Sequence, residues 1–229
     1  MNAGYNETLD YLQSRYLTLE QLAEAAGLTP ERVDALIEAG LAPAHSHLAV
    51  FSLAVSAPIN GDHEVAARSV RYFHPDKADL AHEADALARR VGNEAAAAIL
   101  RERHDQAVAR EAGLEPGSEA HLALAERAWS AWRQGTHGVC LQRVTPQAMI
   151  RKVLATQRLE AALSDAEAGR PVDRESLVDA LARYASVAGP FGPHERAGST
   201  RARIYDPAQA LLATLGATEV SGTPDLSAV

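Results

Sequence analysis

The sequence is poor in cysteine and in basic charge and has no long apolar run, and each of these features excludes a class of protein. Cys140 is the one cysteine among 229 residues, so no internal disulfide can form and a reducing compartment fits. No apolar run approaches the roughly 20 residues that cross a bilayer, and the first residues are too polar for a signal peptide. A net charge of −8 is opposite to that of proteins that coat nucleic acid. We therefore expect a cytoplasmic protein without membrane or nucleic-acid partners.

The residues in excess favour helices. Alanine is abundant and aromatic residues make up only 5% of the chain, a composition with good helix formers and few strand signals. The prediction is an all-α, mainly helical fold with at most a minor strand pair. A helix-turn-helix-like module is expected over residues 1–43, a helical main domain over 44–216, and a disordered tail over 217–229.

Capping residues, prolines and glycines mark the helix boundaries. The first predicted helix begins at Asn6. The others cover Thr18–Ala25, Pro30–Gly40, Asp62–Tyr72, Pro75–Ala112 with a split at Gly92, Ser118–Arg133, Thr145–Ala168, Asp173–Ala188 and Asp206–Gly216. The apolar run His47–Val55 is the best strand candidate, with a buried helical turn as the alternative.

The segment Thr18–Gly40 has the pattern of a helix-turn-helix, with Gly27 in the turn. Its two helices carry five acidic residues and one basic residue: Glu20, Glu24, Glu31, Asp34 and Glu38 against Arg32. DNA binding depends largely on neutralising phosphates, so this surface would repel a duplex. The pattern favours a module for packing or for contact with a protein partner.

Three shorter patterns are weaker. His74-Pro75-Asp76-Lys77 matches the loop tetrapeptide of chaperone J-domains, but the basic helix that precedes it there is missing, so we interpret it as a helix start. Local His, Asp and Glu clusters at 45/47, 62–64 and 82/83 lack a recognised ligand spacing, so no metal is predicted. Cys140 lies between apolar neighbours, which is typical of a buried packing residue.

The segment Gly189–Arg203 is the best candidate for a functional site. Its prolines and glycines favour a shaped loop, and its cations stand out in an acidic protein. His194 and Glu195 could serve as acid or base, whereas the arginines and hydroxyls suit an anionic ligand. The anion-binding candidates are Arg196, Ser199, Thr200, Arg201 and Arg203. The alternative is a solvated basic loop that pairs with neighbouring carboxylates.

Three stretches carry a family resemblance: YLTLEQLAEAAGLTPERVDALIEAGLAP near the N-terminus, the W-x-x-G-T-H-G-V-C-L run at Trp132–Leu141, and FGPHERAGSTRARIYD near the end. Together they resemble a bacterial domain-of-unknown-function family, number 6058, whose members are often labelled natural product biosynthesis proteins. The loop around His45 and His47 departs from the aromatic-containing pattern of that family, which puts a role for either histidine in doubt.

The resemblance implies a subunit of a two-protein enzyme that closes an aziridine ring. In that reaction an amine displaces a neighbouring sulfate ester on an amino acid presented by an amino-group carrier protein. Within this scheme His194 or Glu195 would act as the base, the arginines would hold sulfate, and His137 and Trp132 would line the pocket. It needs no cofactor and implies a second biosynthetic protein in a hetero-oligomer. The competing hypothesis is a non-catalytic helix-turn-helix protein, either a regulator or a scaffold for a partner enzyme.

Overall fold

The computed structural model describes residues 3–59 and 61–221, with the side chains of residues 4–52, 58–59 and 67–215. Ten α-helices and one small sheet make up this described part, which confirms the mainly helical fold. The helices are α1 (Ala3–Arg15), α2 (Leu19–Ala26), α3 (Pro30–Glu38), α4 (Lys77–Val91), α5 (Asn93–Ala112), α6 (Glu119–Arg133), α7 (His137–Cys140), α8 (Pro146–Glu167), α9 (Arg174–Val187) and α10 (Asp206–Ser221). None of the helices in these ranges is long and apolar enough to cross a membrane.

Local capping interactions explain why most helix boundaries agree with the sequence prediction. The Thr18 hydroxyl accepts a hydrogen bond from the Gln21 backbone N–H, and the Gln21 side chain accepts one from the Thr18 N–H, which forms a capping box. Gly92 divides α4 from α5 as predicted. At the other end of the chain, α10 continues past the predicted stop at Gly216 to Ser221. The rest of the predicted tail, 222–229, lies outside the described residues.

The prediction of a helix over Asp62–Tyr72 is wrong, because this segment is a β-strand. Strands β1 (Leu17–Thr18), β2 (His47–Ala57) and β3 (Gly61–Phe73) form an antiparallel sheet in the order β1-β3-β2. The run at 47–57 needs a hydrogen-bonding neighbour, and the following segment supplies it through a hairpin. The sequence signal for this hairpin is the dipeptide Asn60-Gly61 between two β-compatible runs.

The N-terminal helices share one apolar core with the sheet and with α4. Leu22 of α2, Val33 of α3 and Phe73 of β3 are buried in it, and it continues into α5 at Ala96. The predicted module at 1–43 therefore packs on the rest of the chain without a break in the core. Two further clusters join α5 and α6 to α8, and α8 to α9 and α10.

The last part of the chain is fixed to the centre of the fold by backbone contacts. Leu141 and Ala188 form an isolated antiparallel bridge, and the Gly189 N–H donates to the Cys140 carbonyl oxygen at 3.1 Å. After this bridge the chain forms a 3-10 turn at Arg196–Gly198 and a π-helical turn at Arg201–Tyr205 that continues into α10. The last residues of the predicted loop, 201–203, therefore belong to a helical turn.

Gly135 fixes the approach of the 44–46 segment to the end of α6. Its φ of 77° favours glycine, and a Cβ there would overlap the carbonyl oxygens of Ala44 and His45. The Ala44 N–H donates to the Arg133 carbonyl oxygen at 2.9 Å, which makes this contact part of the backbone hydrogen-bond pattern.

We expect Gly135→Ala to lower the free energy of unfolding by about 3 kcal/mol or more, since strain and backbone overlap add together. Gly113→Ala is the matched control, because Gly113 has a similar φ of 65° and a methyl group added there would meet no neighbouring atom within 4 Å. It should cost only about 1–2 kcal/mol. Urea denaturation measures both, and equal losses would contradict the role of the contact.

Candidate functional site

The candidate site forms where the start of β2 meets the late loop. The His47 Nε2 atom lies 2.9 Å from Oε1 of Glu195, a hydrogen bond between residues 148 positions apart. In that bond the imidazole donates and the carboxylate accepts. The Nδ1 atom of His47 is buried and has no hydrogen-bond partner among the described residues.

Glu195 is held as a carboxylate. Burial alone would raise its pKa, but the hydrogen bond and charge of His47, the Gly192 N–H and the nearby His194 outweigh burial, and the net shift of the Glu195 pKa is downward. Oε2 accepts the Gly192 N–H at 3.3 Å, so both carboxylate oxygens are oriented. The site therefore contains an ionised acceptor next to two imidazoles at neutral pH.

His194 and Tyr11 complete this cluster. The Nε2 atom of His194 lies 3.8 Å from Oε1 of Glu195, and its ring packs edge-on to those of Tyr11 and His47. A Cβ at Gly192 would come within 2.9 Å of both the Tyr11 and His194 rings, so glycine is what lets the loop approach α1. The Tyr11 hydroxyl donates to the Pro190 carbonyl oxygen at 2.9 Å and fixes the loop there.

A cleft of about 710 Å³ opens beside the cluster. Its wall includes the cations Arg15 and Arg201, the phenols of Tyr11 and Tyr16, and the loop tripeptide His74-Pro75-Asp76. Tyr11 belongs to both places, since it lines the cleft and contacts His194. A cleft with two cations on its wall is suited to a small anionic ligand.

Arg201 is the cleft cation with a buried nitrogen that lacks a hydrogen-bond acceptor in the described structure. Its Nε atom is buried and makes no hydrogen bond within the described residues. Oδ1 of Asp206 lies 3.9 Å away, close enough to attract but too far for a hydrogen bond. The missing hydrogen bond matters more than this weak attraction, because an N–H buried without an acceptor is costly and an incoming anion would supply one. Arg15 is exposed and has no ion pair in the described part of the chain.

The other predicted anion-binding residues of the loop have local contacts. Arg196 pairs with Asp206 at 2.9 Å, as the alternative of a carboxylate-paired loop expects. The Ser199 hydroxyl donates to the Arg196 carbonyl oxygen and accepts the Ala202 N–H, so it stabilises the loop itself. Arg203 is exposed and does not line the cleft.

His137 and Thr200 line a second cavity, of about 260 Å³, together with the buried Lys152. Thr200 bonds to the Tyr184 hydroxyl at 2.8 Å. Burial and neighbouring cations lower the pKa of His137 to about 4, so its imidazole is neutral near pH 7 and is a weak base. The structure thus places His137 with one residue of the late loop, Thr200, in a cavity that His194 does not line.

Two further predicted residues have packing roles. Trp132 is buried and stacks on Trp129 with a ring separation of 4.7 Å, and it lines neither cavity. Cys140 is half-buried at the edge of the second cavity, and its carbonyl oxygen accepts the Lys152 ammonium at 3.0 Å.

Sequence reasoning missed most of the cleft wall opposite the loop. The family pattern put His47 in doubt, and Tyr11, Tyr16 and Arg15 belong to a module expected to serve packing or partner contact. The tetrapeptide at 74–77 is more than a helix start: the Asp76 carboxylate accepts the Val144 N–H and the Arg143 guanidinium, both at 2.8 Å, and gives α4 no side-chain cap. No local spacing in the sequence indicates these contacts.

A family model described as a family of unknown function, DUF6058, matches residues 93–211, just over half of the chain. The chain belongs to DUF6058. No curated protein and no solved structure matches it. The DUF6058 match includes His194, Glu195 and Arg201, whereas His47 and Tyr11 lie before it.

Lys77 follows Asp76 of the cleft wall and is nearly inaccessible, with 1% of its surface exposed. Its ammonium donates to the Ala44 carbonyl oxygen and to the Ser46 hydroxyl, and so fixes the segment that leads into His47. Burial lowers the pKa of Lys77 from 10.5 to about 7, and no carboxylate pairs with it among the described residues.

We predict a rise in stability with pH that depends on Lys77. Between about pH 7 and pH 10.5 the unfolded chain binds a proton that the folded chain has released, so the free energy of unfolding increases with pH. Lys77→Met removes this contribution. The free energy of unfolding of the wild type, relative to that of the variant, should therefore rise with pH in that window. Urea denaturation at several pH values measures the difference; a constant difference would contradict the prediction.

Proposed function

We propose that this protein is a natural product biosynthesis protein, a subunit of a cofactor-free enzyme complex that closes an aziridine ring. The substrate would be an amino acid on a carrier protein, with an amine next to a sulfate ester. The proposal rests on the family resemblance and on the pairing of an anion-binding cleft with an adjacent ionised carboxylate. The single observation that carries it is the buried, unbonded Nε of Arg201 on the cleft wall.

The two arginines of the cleft wall would stabilise the sulfate leaving group. In a displacement the C–O bond breaks and sulfate departs with the bonding electrons, so negative charge grows on its oxygens. Arg201 and Arg15 are placed to stabilise that charge, and arginine suits the trigonal face of a sulfate through two parallel hydrogen bonds. The Tyr11 and Tyr16 hydroxyls add polar groups to the same wall.

The Glu195 carboxylate is the proposed acceptor of the proton that the amine loses. As the amine nitrogen bonds to the carbon that bore the sulfate, its N–H proton must pass to a base. Glu195 is held ionised for this role, and His194, about a third exposed, is the group that can relay the proton between cleft and carboxylate. Holding the amine opposite the leaving group would contribute further by positioning.

A partner protein is part of the proposal. A carrier-borne substrate enters through an open cleft, and a second subunit covering its mouth would exclude water from the reaction. The partner would be a second biosynthetic protein in a hetero-oligomer, found by identifying what co-purifies from the native host. A clean monomer or homodimer that retains activity would remove the partner from the proposal.

The competing regulator function has less support. Arg32, the single base of the would-be recognition helix, pairs with Asp85 at 2.6 Å, and Asp34 pairs with Arg71 at 2.7 Å. The one cation that this helix could offer to phosphate is therefore engaged within the chain. A scaffold for a partner enzyme stays open, and cleft variants that bind the partner but lose turnover would separate it from an enzyme.

We expect Arg201→Ala to weaken sulfate binding by roughly 10- to 100-fold, the loss of a charge-assisted hydrogen bond. Calorimetric titration of sulfate into the protein measures it. The matched control is Arg203→Ala, which removes the same charge two residues away from an exposed side chain outside the cleft. An equal loss in both variants would show a diffuse charge effect and contradict the site.

We expect Glu195→Gln to lower sulfate release by at least about 100-fold while leaving sulfate binding intact, because the amide lacks a basic oxygen. The assay uses the complex with its partner and a carrier-bound sulfate ester, and measures free sulfate. Arg201→Ala should impair both binding and release in the same assays. Full turnover by Glu195→Gln would place the base elsewhere.

A further inference from the structure

We propose that His47, His194 and Glu195 form a binding site for one divalent transition-metal ion of the Zn²⁺ class. The three side chains offer two imidazole nitrogens and one carboxylate oxygen, and these atoms all lie within 4.8 Å of one another. This inference goes beyond the proposed function, which needs no metal, and it is independent of the substrate.

The distances are close to those of a ligated ion. Nε2 of His47 and Nε2 of His194 lie 2.9 Å and 3.8 Å from Oε1 of Glu195. In a tetrahedral zinc site with bonds of about 2.0–2.2 Å, neighbouring ligand atoms are roughly 3.4 Å apart. The distance between His47 and Glu195 must open by about half an ångström, and that between His194 and Glu195 must close by about the same amount. The partly exposed His194 ring can supply the second shift.

The donor set selects the class of ion. Imidazole suits zinc, cobalt, nickel, copper and iron, whereas magnesium and calcium prefer oxygen ligands alone. Three protein ligands leave at least one position of the ion open to water or to another ligand.

The charge and rigidity of the cluster favour a cation. Glu195 brings one negative charge, and no lysine or arginine pairs with it among the described residues. Its second oxygen is held by the Gly192 N–H, and the His47 ring packs on Tyr16 at a centroid distance of 4.5 Å. Two of the three ligands are thus oriented before any ion arrives.

One feature limits the affinity. When Nε2 of His47 binds a metal, the proton of the neutral ring is on Nδ1, which is buried without an acceptor in the described structure. Hydrogen-bond partners of ligating histidines typically contribute 10- to 100-fold in affinity, so we expect a weaker site than a structural zinc centre.

The test is a titration of Zn²⁺ into the full chain, freed of metal and of any histidine tag, followed by calorimetry. We expect one ion per chain, and with Co²⁺ the visible absorption bands of a low-coordinate nitrogen-oxygen site. His194→Ala and Glu195→Gln should each weaken binding by at least roughly 100-fold, since even a lost outer-shell partner costs 10- to 100-fold.

His45→Ala is the matched control. His45 lies two residues before His47, and its ring packs on Phe73 without contributing a ligand. Its titration should equal that of the wild type. The site is overturned by absence of saturable binding at one equivalent, by binding unchanged in both ligand variants, or by equal loss in the control. His194 is the safer ligand to remove, since its side chain is 36% exposed and its loss spares the core.

The metal site and the proposed reaction fail separately. Metal binding is measured without substrate, so a negative titration leaves the ring-closing proposal standing. If the site binds zinc, the ion occupies the Glu195 oxygen that would accept the proton, and added Zn²⁺ should inhibit sulfate release until a chelator removes it. Sulfate release that requires the ion would keep the metal site and overturn the cofactor-free base.

Discussion

The hydrogen bond between His47 and Glu195 is the contact on which the site depends. It joins the first strand of the hairpin to a loop that follows nine of the ten described helices. The loop reaches this position because the Leu141–Ala188 bridge delivers it and because Gly192 allows it to pass close to Tyr11. Without the pairing, the half-buried Glu195 carboxylate would keep only the Gly192 N–H as a donor, and the lost hydrogen bond would be costly for an ionised group.

Because of the same placement, Arg196 and Arg201 of the late loop differ in their hydrogen bonding. Arg196 finds Asp206 and contributes to holding the loop, whereas the Nε of Arg201 is directed to a place where no acceptor of the described residues lies within hydrogen-bond distance. Burial with an incomplete set of partners is costly, and such groups in native structures are a recurrent feature of functional sites. An unsatisfied donor on the cleft wall therefore lies near a cluster with an ionised carboxylate, and Tyr11 connects the two because it lines the cleft and contacts His194. These are the two groups that the proposed displacement would use.

Helix boundaries were predictable because their causes are local. The hydroxyls of Thr18, Thr29 and Thr145 each accept an N–H three residues ahead, and that spacing is visible in the sequence. The segment 61–73 was not predictable in this way, since its strand conformation depends on pairing with 47–57. The loop of the candidate site was picked out from its composition, whereas His47 and Tyr11 come from the opposite end of the chain and have no such signal. Nothing in the sequence distinguishes Arg201 from Arg196, because the difference lies in the position of Asp206.

The most direct test of the central claim is a double-mutant cycle on the free energy of unfolding, with His47→Ala, Glu195→Ala and the double variant compared by urea denaturation. If the two side chains interact as described, removing the second after the first should cost less than removing it from the wild type, with a coupling of at least about 1 kcal/mol. If the two losses add to within about 0.5 kcal/mol, the side chains do not interact in solution. The site would then lose the contact that assembles it.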